Sequence, residues 1–210
     1  MKAPFLIGID ESGRGPIAGP LAVSACLIPR QFYRKTRRKF SSYPLGKDSK
    51  KLSEKERNFW FGLMKEAEDE GLMELSVVFI SHSTIDRRGL SFAIKKALGN
   101  SLKRFSVNPL LCDVFLDGGL KAPDVFKNQK TIVKGDEKEW VISLASIVAK
   151  VTRDRKMISL AQRYKNYGFE KHKGYGTKAH YEKLLQHGIC PIHRRSFLRR
   201  FLAGDLGNKS

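Results

Sequence analysis

Two short apolar runs joined by a glycine-rich loop restrict the fold of this chain more than any other feature of its sequence. Residues 5–9 and 21–28 are β-prone and have the length of strands. The first run stops at Asp10 and Glu11, so two carboxylates stand where a strand ends, and the loop that follows carries Gly13-Arg14-Gly15. Strands this near each other in sequence favour an antiparallel pair.

The rest of the chain alternates runs of strand length with segments of helical periodicity. Further strands are predicted at residues 73–80, 114–116 and 131–133. Helices are predicted from Ser53, with a capping box to Glu56, at residues 91–105, beyond Asp136, and at residues 177–186. This alternation predicts an α/β fold in which helices flank a mixed sheet. We expect one domain over residues 1–210, with residues 170–210 as a small helical and loop extension of it.

The chain is strongly basic, with 40 lysine and arginine residues against 21 aspartate and glutamate residues and a formal net charge of +19. Such an excess favours a polyanionic partner, because each phosphate contact releases counterions. Nucleic acid is therefore the expected partner, although a ribosome-associated or merely lysine-rich protein would have a similar composition.

Membrane and disulfide-rich classes are disfavoured. No apolar run approaches the ~20 residues of a membrane span, and residues 1–4 lack the apolar region of a signal peptide. The three cysteines, Cys26, Cys112 and Cys190, contain no CxxC pair and are odd in number, which argues against a disulfide framework or a structural zinc site. We expect a cytoplasmic monomer without membrane contact.

Four carboxylates follow predicted strands and are candidates to meet at one edge of the sheet, namely Asp10, Glu11, Asp117 and Asp136. Because such a cluster repels itself, it requires a divalent cation, and oxygen ligands suit Mg²⁺ or Mn²⁺ better than zinc. Two such ions would activate a water and stabilise the leaving oxygen in hydrolysis of a phosphodiester. Any one of these carboxylates, taken alone, is more often a solvated surface group or part of a turn.

The loop at residues 13–19 has two interpretations. Its spacing matches a relaxed G-x-G-x-x-A dinucleotide fingerprint, but Pro16 and a strand follow where a helix should begin, and no acid occurs from residue 12 to residue 47. Alternatively, Gly13 and Gly15 allow close approach of the backbone to sugar and phosphate, where amides and carbonyls can bond a 2′-hydroxyl. The second interpretation fits the context better.

The same loop opens a series of motifs that resembles bacterial ribonuclease HII. Residues 10–20 read DESGRGPIAGP, which is similar to the family's opening signature. Further blocks follow in the family's order: DSKKLS at 48–53, LDG at 116–118, KGD at 134–136, ASIVAKVTRD at 145–154, HKGYGT at 172–177 and HRRSF at 193–197. The resemblance therefore covers nearly the whole chain.

This resemblance implies an RNase H-like fold and endonucleolytic cleavage of RNA in RNA–DNA hybrids, including a lone ribonucleotide in duplex DNA. The products would carry a 3′-hydroxyl and a 5′-phosphate. Carried over by position, the resemblance implies two Mg²⁺ or Mn²⁺ ions held by Asp10, Glu11, Asp117 and Asp136. It further implies that Gly13, Arg14 and Gly15 read the 2′-hydroxyl and that Tyr175 stacks on the next deoxyribose.

Several other polar side chains have more than one interpretation. Lys50 and Arg194 are candidate phosphate contacts, although a lysine in so basic a chain is often only solvated. Asp154 lies four residues after Lys150 on one predicted helix, so we expect an ion pair between them and no metal ligation by Asp154. The four histidines between residues 172 and 193 are expected to make hydrogen bonds at the surface or in loops, because the carboxylate mechanism requires no histidine base.

Two alternative functions stay open at this stage. A metal-free ribonuclease would use histidines and a lysine, survive chelation and leave a cyclic phosphate. A catalytically inactive hybrid-binding protein of the same fold would bind without turnover. The related ribonuclease HIII is disfavoured because its extra N-terminal domain has no room here, and the basic stretch at residues 30–39 departs from the ribonuclease HII pattern.

Overall fold

The computed structural model describes residues 3–41 and 52–204, and a five-stranded mixed sheet lies at its centre. The strands are β1 (Phe5–Ser12), β2 (Leu21–Pro29), β3 (Glu74–Ile80), β4 (Cys112–Asp117) and β5 (Asn128–Ile132). Their order across the sheet is β3-β2-β1-β4-β5, with β2 antiparallel to both β1 and β3, and β1, β4 and β5 parallel. The predicted α/β fold and the antiparallel first pair are confirmed.

The parallel pairing of β1 and β4 places two of the predicted site residues together. Ile9 lies opposite Leu116 in the register, so Asp10 and Asp117 follow at the same end of neighbouring strands. The antiparallel partner β2 runs the other way, and its end at Pro29 lies opposite Phe5, at the far end of the sheet. Carboxylates that are separated by more than 100 residues in sequence therefore meet at one edge of the sheet.

Helices cover both faces of the sheet. They are α1 (Tyr33–Lys39), α2 (Glu54–Asp69), α3 (His82–Arg88), α4 (Leu90–Leu102), α5 (Gly135–Lys138), α6 (Trp140–Arg163), α7 (Phe169–His172), α8 (Lys178–His187) and α9 (Arg199–Leu202). The capping box predicted for α2 is present, since the Ser53 hydroxyl accepts from the Glu56 amide and the Glu56 carboxylate accepts from the Ser53 amide. Within residues 3–41 and 52–204, no helix has the length and hydropathy needed to cross a bilayer.

Several elements differ from the sequence-based prediction, among them β5 and short helices such as α3 and α7. The strand expected at residues 131–133 lies at Asn128–Ile132, because this edge strand is mostly exposed and polar and has no apolar alternation to mark it. The short helix α3 was not predicted, although Ser81 caps it by accepting a hydrogen bond from the Thr84 amide at 3.2 Å. Both β5 and α3 lie at the edge of the sheet where β1 and β4 end, since Ile132 of β5 pairs with Asp117 and α3 follows the end of β3 at Ile80.

The two faces of β1 pack against different helices. Ile7 and Ile9 belong to the apolar cluster that contains α4, whereas Leu6 belongs to the cluster formed with α2 and α6. Because side chains alternate along a strand, Gly8 and Asp10 share the Leu6 face and point towards α6. A Cβ atom at Gly8 would lie 2.1 Å from the Val141 carbonyl oxygen, so the helix backbone approaches the strand as closely as glycine permits.

A third apolar cluster joins the loop after β1 to the C-terminal segment, which we define as residues 164–204. Ile17 and Ala18 pack there with Phe169 and Leu184. The backbone is joined as well: the amides of Ile17 and Ala18 donate to the Gly174 carbonyl at 2.9 and 3.2 Å, and the Arg194 amide donates to the Ile17 carbonyl at 2.8 Å. The expected helical and loop extension is therefore built directly onto the glycine-rich loop.

Candidate active site

A polar cleft of about 430 Å³ opens at the edge of the sheet where β1 and β4 end. Its walls come from β1, the loop after it, β4, α2, α6 and the loop after α7. The lining residues are Asp10, Glu11, Ser12, Gly13, Arg14, Gly15, Arg57, Asp117, Ser146, Lys150 and Tyr175. Seven of the ten predicted site residues therefore line one cleft.

Asp10 is the most deeply buried of the cleft carboxylates, with 5% of its surface exposed. Burial raises its pKa well above the usual range, and the neighbouring charges of Glu11 and Asp117 add to the rise, while a hydrogen bond with Ser146 opposes it. Its Oδ1 also accepts from the Glu11 amide at 2.7 Å. Negative charge is thus crowded at this position, in the manner expected where a cation is to be bound.

Asp117 and Asp136 are linked through the first turn of α5. The Asp117 Oδ1 accepts a hydrogen bond of 2.6 Å from the Gly135 amide, which holds the start of that helix against the end of β4. Asp136 comes next, is 4% exposed, and is not among the residues that line the cleft. Its main-chain carbonyl accepts from the Ser143 hydroxyl of α6, so its backbone is fixed between β4 and α6.

The Glu11 carboxylate is directed to the loop that follows it. Its Oε1 lies 3.2 Å from a guanidinium nitrogen of Arg14, whose side chain is 48% exposed at the mouth of the cleft. An ion pair so exposed on one side is worth little in stability, so it is readily exchanged for another partner.

Oxygen donors of the kind that Mg²⁺ and Mn²⁺ prefer dominate the inner wall of the cleft. Asp10, Glu11 and Asp117 supply these donors, and the pKa of Asp10 is raised chiefly by burial and further by the charges of Glu11 and Asp117. As the described side chains stand, however, no three His, Cys, Asp or Glu residues are grouped closely enough to hold an ion. Glu11 instead faces Arg14, and Asp117 accepts from the Gly135 amide.

A fully buried arginine holds the Gly13-Arg14-Gly15 loop from the protein interior. The Arg194 guanidinium donates to the carbonyls of Gly13 at 2.7 Å, Arg14 at 3.0 Å and Gly19 at 3.0 Å. This placement does not fit the predicted phosphate contact, because the side chain is 0% exposed and its nitrogens are occupied by the loop. Arg194 instead positions the loop that carries Arg14.

A second buried arginine, Arg153 of α6, supports the same loop. Its Nε donates to the Pro20 carbonyl at 3.0 Å, and its side chain lies so close to Gly13 that a Cβ there would be 2.2 Å from Nε. Gly13 also has a φ of +98°, which side chains other than hydrogen rarely tolerate. Sequence reasoning missed this role, although an arginine among the apolar positions of a long helix was a signal of burial with partners.

Tyr175 lies across the cleft from the loop. Its side chain is 41% exposed, and a Cβ placed on Gly15 would lie 4.0 Å from its ring. The chain enters this position through Lys173 and Gly174, which both have positive φ, and Gly174 packs against the Ala18 carbonyl. Two loops that are remote in sequence therefore face each other over the cleft, as expected if both contact one nucleotide.

A relay of buried histidines holds the Tyr175 backbone. The Cys190 amide donates to His193 Nδ1 at 2.9 Å, so this nitrogen is an acceptor and His193 Nε2 carries the proton. That proton is donated to His180 Nε2 at 3.0 Å, which leaves His180 Nδ1 to donate to the Tyr175 carbonyl at 2.8 Å. The expected hydrogen bonds to loops are thus present for these two histidines, and their burial, at 0% and 2% exposed, was not predicted.

Two remaining predictions have different outcomes. Lys150 and Asp154 form the expected ion pair, with Nζ 3.0 Å from Oδ1, so this carboxylate has a partner on its own helix. Lys50 lies outside the described residues. Arg57 and Ser146, which the sequence reasoning did not single out, line the cleft from α2 and α6.

Comparison with known proteins agrees with this geometry. A sequence model of the ribonuclease HII family matches residues 7–200. A ribonuclease HII of Endomicrobium trichonymphae is 41% identical over 191 residues, which cover 90% of this chain and 83% of that protein.

Solved structures share the fold. The crystal structure of ribonuclease H2 from Pyrococcus horikoshii OT3 has a TM-score of 0.72 and 26% identity, and the match covers 97% of this chain and all of that one. Bst-RNase HIII, solved in complex with Mn²⁺, has a TM-score of 0.66 at 16% identity over 99% of this chain and 72% of that one. The mixed sheet flanked by helices is thus an RNase H-like fold.

Proposed function

Since the chain belongs to the ribonuclease HII family, we propose that it cleaves RNA in RNA–DNA hybrids and nicks duplex DNA immediately 5′ of an embedded ribonucleotide. Membership makes it a metal-dependent ribonuclease H, an endonuclease of the hydrolase class; the single-ribonucleotide specificity and the two-ion mechanism are the proposal. One observation carries it: Asp10, Glu11 and Asp117 line the same cleft as the Gly13-Arg14-Gly15 loop and Tyr175.

Recognition of the ribose is assigned to the two facing loops. The carbonyls of Gly13 and Arg14 accept from Arg194, which fixes this part of the loop and leaves its other backbone groups to meet a sugar. At Gly15 no side chain stands between the backbone and the cleft, which allows the close approach that reading a 2′-hydroxyl requires. The exposed face of Tyr175 is available for stacking on the neighbouring deoxyribose.

Divalent ions, Mg²⁺ or Mn²⁺, would be held by Asp10, Glu11 and Asp117, with Asp136 as the fourth proposed ligand. When bound, such ions supply the activation of a water and the stabilisation of the leaving 3′ oxygen. The residues contribute position and charge: Asp10 is buried and its carboxylate bonds Ser146 of α6, and Asp117 is fixed by the Gly135 amide. Glu11, now paired with Arg14, would exchange that partner for the ion, and Arg14 would then be available to a phosphate of the substrate.

The decisive test is a nicking assay on a labelled DNA duplex that contains one ribonucleotide. With Mg²⁺ or Mn²⁺ the protein should cut 5′ of that ribonucleotide and leave 3′-hydroxyl and 5′-phosphate ends, and EDTA should stop the reaction. Asp117→Asn should lower the rate by roughly 100-fold or more, because it weakens a charged oxygen ligand. Asp113→Asn is the matched control, since Asp113 lies at the other end of the same strand.

The alternatives make distinct predictions in the same assay. Activity that survives EDTA and leaves a cyclic phosphate would indicate a metal-free ribonuclease. Tight binding of the duplex without turnover would indicate a hybrid-binding protein. Either result, or full activity of Asp117→Asn, would contradict the proposed function.

A further inference from the structure

A second groove lies beside the catalytic cleft, between α4 and the loop at residues 118–124. We call it the α4 groove; its volume is about 620 Å³. Arg14 lines both the α4 groove and the cleft, so the two are neighbours on one surface. Anything that lies over Arg14 at the cleft can continue into this groove.

The α4 groove is positively charged. Lys95, Lys96 and Lys103 are exposed along α4 and line it, and Lys121 lines the opposite wall. The one acidic residue among its lining residues, Asp124, lies 3.1 Å from the Lys121 ammonium and offsets only that charge. Residues 87–112, which include all of α4, contain no aspartate or glutamate.

The shape of the groove suits an extended polyanion. Its floor is apolar, formed by Ile94, Leu98 and Leu120, whereas its charges stand at the rim. Lys96 and Lys103 are seven residues apart, which places them about 10 Å apart along the helix axis. That distance is about the axial length of three nucleotides in one strand of a duplex.

We infer that the α4 groove holds the sugar–phosphate backbone of one arm of the duplex substrate, on the side of the cleft where Arg14 lies. The inference rests on the proposed function and adds to it the path of the substrate beyond the cut. Lysine ammonium groups bind phosphate without regard to base sequence, so the contact contributes affinity and register only. Chemistry at Asp10 and Asp117 is untouched by it.

The test is a triple variant, Lys95→Gln/Lys96→Gln/Lys103→Gln, assayed on the single-ribonucleotide duplex. We expect KM to rise about tenfold with kcat unchanged, and the slope of log KM against log salt to fall by roughly one for each lost contact. The control is Arg34→Gln/Lys35→Gln/Arg38→Gln, which removes the same charge from exposed positions of α1. That helix follows Pro29, at the opposite end of the sheet from Asp10.

Substrate length locates the contact. Shortening the duplex on one side of the ribonucleotide should raise KM for the unaltered protein, and the same shortening should leave KM of the α4 variant unchanged. Three results would overturn the inference. The α4 variant could have the same KM as the unaltered protein, both triple variants could show the same rise in KM, or the rise in KM could be independent of the length of the duplex arm. Fluorescence anisotropy with the same duplexes measures binding directly and therefore tests the inference without cleavage. If the unaltered protein bound the duplex but did not cut it, that result would count against the proposed function alone.

Discussion

Arg153 and Arg194 show how buried charge is used at single residues of this site. A buried cation is costly unless its hydrogen-bonding groups are satisfied. Here the guanidinium groups donate to main-chain carbonyls of residues 13–20, and these hydrogen bonds offset much of the desolvation, although Arg153 Nη1 has no hydrogen-bond partner among the described residues. The planar fork of arginine can reach several carbonyls at once, which a lysine ammonium does less well.

Arg194→Lys should therefore reduce recognition of the ribonucleotide more than it reduces the stability of the fold. Loss of the fork leaves one or two loop carbonyls unsatisfied, at a cost of about 1–3 kcal/mol each. We expect a lower Tm and a larger fall in nicking at a single ribonucleotide than in cleavage of an all-RNA hybrid strand. Arg195→Lys, at the exposed neighbouring position, is the control, and equal losses on both substrates would argue against a positioning role.

Residue-level predictions from the sequence succeeded where position along a strand determines geometry. Asp10 and Asp117 were grouped correctly because parallel strand ends meet at one edge. The burial of Arg194, His180 and His193 was not predicted, because spacing in sequence does not reveal burial by a segment folded from elsewhere. Their partners are loop carbonyls and amides, which no side-chain pattern records.

At the scale of elements, the contact between β1 and α6 determines where Asp10 meets Ser146. Gly8→Ala should force α6 away from the strand, because its Cβ would stand 2.1 Å from the Val141 carbonyl oxygen. Overpacking of this kind typically costs about 1–3 kcal/mol, and the displacement should also lower activity. Chemical denaturation and the nicking assay measure the two effects.

Gly62→Ala provides the comparison for that experiment. Gly62 is an exposed position of α2 with nothing within 4 Å of its added Cβ, so alanine there should stabilise the protein by about 0.5–1 kcal/mol. If Gly8→Ala were as well tolerated as Gly62→Ala, the close packing of α6 on β1 would not be what positions Asp10.

The histidine relay predicts how the segment carrying Tyr175 responds to acid. Burial lowers the pKa of both His180 and His193 to about 4, so both are neutral in the folded protein at pH 7. Below pH 6.5 the unfolded chain binds protons that the folded chain does not, so stability present above pH 6.5 is lost as the pH falls towards 4. At pH 5 the loss is on the order of 2 kcal/mol per histidine.

Thermal unfolding between pH 7.5 and pH 5 checks this expectation. His180→Gln keeps a donor and an acceptor but does not titrate in this range, so its Tm should fall less steeply with pH than that of the unaltered protein. His187→Gln, which replaces an exposed histidine, should leave the slope unchanged. Parallel curves for His180→Gln and the unaltered protein would show that the relay does not control the acid response.

Elements with strong sequence periodicity were predictable. Elements that depend on contacts with other parts of the chain were not. The α2 capping box and the apolar run of β1 reveal themselves in a few adjacent residues. β5 and α3 do not, because one is a polar edge strand and the other is a seven-residue helix whose main signal is the Ser81 cap. The single-domain organisation expected from length stays a prediction.

For the molecule as a whole, the loop at residues 13–20 and the C-terminal segment should open as one unit. The amides of Ile17 and Gly19 donate to the carbonyls of Gly174 and Ile192, and the Arg194 amide donates to the Ile17 carbonyl, so these amides of both segments exchange only when the two segments separate. Hydrogen exchange followed by mass spectrometry should show matched protection in peptides around residues 13–20 and 172–194, and Arg194→Lys should lower both together. Independent rates in the two peptides would contradict this coupling.

The dependence of the loop on Arg194 also has a consequence for the order in which the protein is made. Residues 10–20 are synthesised before most of the sheet, whereas Gly174, Ile192 and Arg194, which hold that loop, follow the last strand. At ordinary translation rates this interval is roughly 10 to 35 s. The nascent chain thus contains Asp10 and Asp117 well before the residues that hold the neighbouring loop, so the loop is fixed in place only after Arg194 has been synthesised.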